Sequence, residues 1–171
     1  MTNPLMLSSD FNRNIDRWIE DLENRTFVEI CAKPSPTRWS LGQVCVHLIE
    51  ATHHFLEEIN TCLWSNDHIQ EEMSMNAKSM FHNNAFPDEL IEGPESNAHT
   101  PQPESKKMIM ESLMKLRDEI NAAAVLISTS SSQGKTKHPG LHYFNATEWF
   151  QFAEMHFRHH DRQKKRIEAF S

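Results

Sequence analysis

Apolar residues recur along this chain at helical intervals in four separate stretches. Phe11, Ile15, Trp18 and Leu22 follow one another at steps of 4, 3 and 4, which sets them on one face and predicts a helix over roughly 9–31. A second stripe, Leu41, Cys45, Leu48, Thr52, Phe55 and Ile59, keeps the same register to about residue 62. It is announced by "WSLGQ", in which Ser40 and Gln43 have the spacing of a capping box. A third helix begins after Pro101 and Pro103, carries Ile109, Leu113, Leu116, Ile120, Ala123 and Ile127, and stops at "STSSSQGK". The fourth opens at "NATEW", where Asn145 can cap with Glu148 three residues on, and runs almost to the C-terminus. No stretch alternates convincingly as a strand and glycine is scarce, so the expectation is an all-α four-helix bundle in a single domain over 1–171.

The connections are unequal. A short link containing "KPSPTRW" joins the first two helices, whereas residues 63–102 form a long, polar, acidic crossover between helices 2 and 3. That length lets helix 3 run parallel to helix 2. Met73, Ala77, Met80 and Phe81 have helical spacing and predict a short helix inside the crossover. The remainder, "NNAFPDELIEGPESNAHTPQP", holds too many breakers for a long element and suits either a site wall or a plain surface strap.

Composition narrows the functions available. The net charge is -7 and the pI about 5.9, which leaves no electrostatic footprint for nucleic acid. The basic run "RQKKR" at 162–166 lies near a predicted helix C-terminus, where positive charge complements the dipole. No segment approaches the length of a membrane span, and "MTNPLMLSSDFNRN" has no signal-peptide pattern. Cys31, Cys45 and Cys62 are odd in number and lack CxxC spacing, so all three read as buried, inert thiols in a cytoplasmic protein.

The unusual chemistry is on helix 4. Its seam reads Trp149, Ala153, His156, His160, Gln163, Ile167, so two histidines one turn apart share the apolar face, while His159 points elsewhere. Two imidazoles and an amide on an inward face are costly unless each finds a partner. A divalent metal removes that cost, because neutral imidazole is a good ligand and an i, i+4 pair suits a two-point grip. A core pair hydrogen-bonded to Glu, Ser or water is the alternative for any such pair taken alone. A metal would need a further ligand from a facing helix, and "HLIEATHH" on helix 2 offers His47, Glu50, His53 and His54. Periodicity does not choose between His47 and His54, and Glu50 could be a ligand or a hydrogen-bond acceptor behind one.

Several stretches resemble the DinB/YfiT-like family of metal-dependent hydrolases. "RWSLGQVCVHL" is similar to that family's W-S-x-x-x-[VIL]-x-x-H-L helix opening, and "HFRHHDRQ" to its H-x-x-x-H-x-x-Q signature. "IEGP" and "HPGLHYFNATEWFQFAEMHFRHH" resemble one branch of it, in which an HP turn precedes an E-W helix start. The resemblance spans roughly 38–165 and implies an up-down-down-up bundle with nickel or zinc held by His47, His156 and His160. Gln163 matches the family's glutamine and, with His54, is expected just behind the ligands. Two departures stand out: Arg162 replaces a small residue, and His142 occupies a turn where glycine is expected. The family name derives from a DNA-damage regulon and implies no DNA binding.

Three histidines on a divalent ion leave an open coordination position, and such an ion acidifies coordinated water to a pKa near ~7. Hydrolysis of a small amide or ester is one expectation, with Glu50 or Glu57 as base. A second is transfer of a low-molecular-weight thiol, which the resemblance also implies, with Arg158 or Arg162 receiving its acidic groups. Solvated charges on the outer face of helix 4 is the plainer reading of those arginines. A non-catalytic metal-binding bundle is the third, with a homodimer as one form it could take, and a metal-free histidine core is the plainest. His68, His82, His99 and His138 fall in predicted loops and read as surface residues.

Overall fold

The structure, a computed structural model, describes residues 3–88 and 99–169. Among these are six helices and one hairpin: α1 (Pro4–Glu23), α2 (Phe27–Cys31), α3 (Leu41–Leu63), α4 (Met75–Asn83), α5 (Lys106–Thr129), β1 (Lys135–His138), β2 (His142–Asn145) and α6 (Ala146–Glu168). The protein is thus mainly helical. The "IEGP" stretch lies outside the described residues. No described helix is long and apolar enough to cross a membrane.

Capping chemistry sets most boundaries. Ser40 and Gln43 form the capping box that starts α3, and Asn145 and Glu148 form the one that starts α6. The expected helix over 9–31 is corrected at both ends. It begins earlier, at Pro4 behind an Asn3 cap, where proline's missing N–H costs nothing. It also breaks at 24–26, because Thr26 adopts an extended backbone and forms its own capping box with Glu29, opening the short α2.

The second correction is the hairpin. Lys135 pairs with Asn145 and His138 with His142, closed by Pro139, Gly140 and Leu141. Gly140 donates its N–H to His138 Nδ1 at 3.1 Å. His142 has φ 68, the left-handed position that usually follows a three-residue turn and favours glycine. The crossover docks here as well: Met73 bridges to His142, and Ser74 donates its N–H to the Leu141 carbonyl at 2.9 Å.

All four predicted seams are buried except at Gln163, which is half-buried. Phe11, Ile15, Trp18 and Leu22 of α1 are fully enclosed. Asn12 meets Asn121, Asp16 meets Arg117, and Lys106 caps the carbonyls of Glu23 and Arg25. Phe11 packs on Phe150 and Phe157 of α6, and Lys164 of α6 pairs with Asp21 of α1 while lying over the Trp18 ring. Between α3 and α6, Phe55 stacks on Trp149 and meets Phe152 edge-on. His53 of α3 contacts Glu119 of α5 at 2.9 Å. The crossover's return end is fixed to the start of α3. There Gln43 donates to the Thr100 carbonyl at 2.7 Å, and Ser40 to Gln102 at 2.8 Å.

Candidate metal centre

The α3–α6 seam brings His47, His156 and His160 together, with one ligand atom of each within 4.8 Å of the others. His156 Nε2 lies 3.1 Å from His160 Nε2 and 3.3 Å from His47 Nε2. The two helices supply this geometry differently. His156 and His160 are successive turns of α6, and His47 reaches them from the second turn of α3.

Burial and mutual proximity hold all three rings neutral. Removal from water pushes His47 down to about 4 and His160 down to about 3, and lowers His156 well below its ordinary value. The neighbouring imidazoles add to the depression in each case. Neutral rings carry the lone pairs that a metal requires.

The tautomer of His160 follows from its neighbour. Gln163 Oε1 lies 2.7 Å from His160 Nδ1, so Nδ1–H donates to the amide carbonyl and Nε2 keeps its lone pair. With that nitrogen bare, a proton on His156 Nε2 can satisfy only one of its two close Nε2 neighbours. A cation satisfies all three at once. Metal–nitrogen bonds of ~2.0–2.1 Å at tetrahedral angles put ligand nitrogens ~3.3 Å apart, close to the spacings found here. These three histidines could therefore hold a metal ion. His156 Nδ1 is buried without a hydrogen-bond partner, so this ring, unlike that of His160, has no orienting acceptor.

Aromatic rings wall the trio. Trp39 lies 5.1 Å from the His47 ring, centroid to centroid, Phe55 lies 5.5 Å from His156, and Phe86 lies 6.0 Å from His156. Phe86 has no signal in the sequence, because it comes from the breaker-rich crossover rather than a periodic helix. Trp39 was visible only as part of the W-S motif.

Other site candidates fall outside the trio. Glu50 is exposed on α3, one turn beyond His47, and Glu57 is exposed two turns further along. His54 is exposed, with its ring against Phe55 and Trp149. His159 is half-buried and packs on Phe86.

Arg158 and Arg162 are not solvated outer-face charges, which corrects the plainer expectation for them. Arg158 grips the buried carboxylate of Glu154 at 2.7 Å, which also accepts from Asn14 at 2.9 Å. Arg162 binds Asp88 at 2.8 Å and the Phe86 carbonyl at 3.0 Å.

Of the histidines read as surface residues, His68, His82 and His99 are exposed. His138 is not. It is half-buried on β1 against Phe144, Trp149 and Phe152, and burial pushes its pKa down to about 4. Cys45 and Cys62 are buried free thiols, as expected, while Cys31 is half-buried.

No curated protein matches this chain. A family model does, over residues 10–163, and that span contains the trio, the capping boxes of α3 and α6, and Gln163. The chain belongs to the DinB superfamily.

Proposed function

We propose that this protein is a metal-dependent hydrolase of a small amide or ester, with zinc or nickel held by His47, His156 and His160. The observation that carries the reading is the convergence of three neutral imidazole nitrogens within 4.8 Å of one another. His156 Nε2 lies 3.1 Å from His160 and 3.3 Å from His47, and Gln163 fixes His160 in the ligand tautomer. Three protein ligands are the number that leaves a tetrahedral ion an open position. The ion would supply Lewis-acid polarisation of a carbonyl and acidification of water.

The chain's own residues divide the remaining work. Gln163 orients His160. Trp39, Phe55 and Phe86 exclude water and favour an apolar group beside the trio. Glu50, on the exposed rim of α3, is the candidate for moving a proton, and a Glu50→Gln variant that keeps full activity would remove it from that role. Thiol transfer ranks second, because Arg158 and Arg162 are already engaged by Glu154, Asp88 and backbone carbonyls rather than left for a thiol's acidic groups.

The same reading places the four long helices in an up-down-down-up bundle. Three sets of contacts support it. Asn12–Asn121 and Asp16–Arg117 fit antiparallel α1 and α5, and Phe55–Phe152 with His47–His156 fit antiparallel α3 and α6. Asn14–Glu154 followed by Asp21–Lys164 fits parallel α1 and α6.

The test is metal content by mass spectrometry on untagged protein beside His47→Ala and His156→Ala variants. The expected outcome is about one equivalent of a divalent ion, lost in both variants. Wild-type protein that neither contains nor takes up an ion, and whose melting temperature ignores chelator, would reduce the trio to a hydrogen-bonded core cluster.

A further inference from the structure

The segment from Asn84 to Asp88 is fastened to α6 at successive points along one stripe of that helix. Gln151 donates to Asn84 Oδ1 at 3.0 Å, and Arg158 donates to the Asn84 carbonyl at 2.8 Å. Arg162 takes both the Phe86 carbonyl at 3.0 Å and Asp88 at 2.8 Å, and Arg166 approaches Asp88 at 3.7 Å. Residues 151, 158, 162 and 166 are 7, 4 and 4 apart, so all four project from one side of the helix that carries His156 and His160.

The fastened segment is built to turn and then extend. Asn84 ends α4 in the left-handed conformation at φ 48, which redirects the chain toward α6. Pro87 restricts Phe86 to an extended backbone, so its side chain stands off the strap toward the helix. Phe86 is 9% exposed, with its ring centroid 5.0 Å from Phe152, 5.3 Å from His159 and 6.0 Å from His156.

The two halves of this contact differ in strength. The polar half is made by partly exposed ion pairs and hydrogen bonds, each weak and open to water, with Asp88 itself 76% exposed. The apolar half is one buried phenyl ring set against His156 and its neighbour His159. A cover held in that way opens at modest cost without unfolding the helices beneath it.

We propose that residues 84–88 form a latched strap with Phe86 as its plug, and that a metal ion or small ligand reaches the histidine trio by displacing it. The proposal rests on the reading that the trio holds a metal. It assigns Arg162 and Asp88 a gating role in place of the anion-binding role that an arginine near a metal site suggests. Phe86 becomes the side chain that sets access.

A gate has a kinetic signature that a ligand-positioning residue lacks: it changes uptake and release together and leaves affinity alone. The full untagged chain is loaded with zinc, release into excess chelator and uptake from a fluorescent indicator are followed by stopped flow, and the dissociation constant is measured separately. Asp88→Asn and Arg162→Gln should accelerate both rates ~2- to 5-fold. Phe86→Ala should accelerate both ~10-fold or more, while the dissociation constant stays unchanged in the two latch variants.

The Asp88→Asn result is informative in sign. A carboxylate that merely attracted the cation would slow uptake when neutralised, whereas an opened latch speeds it. Because Asp88 is exposed, that variant keeps the test available even where Phe86→Ala folds poorly. Unchanged rates in both latch variants, or faster release with weakened affinity and no gain in uptake, would overturn the gate while leaving the metal site in place. A wild-type protein that takes up no zinc would overturn both.

Discussion

At the scale of single residues, the site depends on which nitrogen of each imidazole carries the proton. Gln163 settles this for His160 by accepting from Nδ1, and it does so from the next turn of the same helix. Gln163→Leu removes that acceptor while keeping a side chain of similar size. His160 is then free to place its proton on Nε2, the nitrogen that faces the other two rings. Outer partners of metal-bound histidines are typically worth ~10- to 100-fold in metal affinity. We therefore expect Gln163→Leu to weaken zinc binding by at least ~10-fold at neutral pH, with little change in melting temperature of the metal-free protein. Competition against a chromophoric chelator measures it. Affinity within ~2-fold of wild type would show that the trio's tautomers are fixed by packing alone.

At the scale of elements, what could be read from the sequence depended on repetition. Each seam of α1, α3, α5 and α6 samples the buried side of a helix at many positions, so its period survives a polar intruder such as Thr52 or His156. His156 and His160 stood out because they interrupt such a seam. His47 sits beside its own seam, which is why the residues alone left it open against His54 and only the resemblance chose. The hairpin gave no comparable signal, since its strands are four residues long and Phe144 alone among them is fully enclosed. Arg162 gives no signal for a related reason: its partners Phe86 and Asp88 come from a stretch without any period, whereas Arg158 pairs within α6 with Glu154, which lies off the apolar seam yet is buried. The break in the first helix was legible, however, as the T-x-x-E spacing of Thr26 and Glu29. One element-scale consequence is testable. His142 holds a left-handed backbone that costs a non-glycine residue roughly 1–2 kcal/mol, and its side chain is exposed. His142→Gly should raise unfolding free energy by about 1 kcal/mol after glycine's own entropy is subtracted. A chemical denaturation curve that shifts the other way would mean the His142 ring contributes more than the backbone strain removes.

At the scale of the whole molecule, the hairpin packs on the end of α3 and the start of α6, closing one end of the helical core, and His138 joins it to that core. Its ring packs on Phe144, Trp149 and Phe152, and its Nδ1 accepts the Gly140 N–H that shapes the turn. Both contacts require the neutral form. Burial pushes its pKa down to about 4 from the ordinary 6.5, His54 adds to the depression and Glu58 opposes it. The unfolded chain therefore binds a proton near pH 6.5 that the folded protein refuses until about pH 4. Stability from this residue is complete above about pH 6.5 and is lost progressively as pH falls toward 4. Allowing for solvent screening of a half-exposed ring, the loss is about 1–2 kcal/mol. His138→Asn separates this contribution from those of other titrating groups, because asparagine can accept the same turn hydrogen bond and does not titrate. Urea denaturation of wild type and variant, both with chelator present, should give stabilities that converge as pH falls from 7 to 4. The variant loses packing and starts lower at pH 7, but it escapes the protonation cost. Parallel curves over that range would show that the hairpin yields locally on protonation, so that the end of the core titrates without involving the rest of the fold.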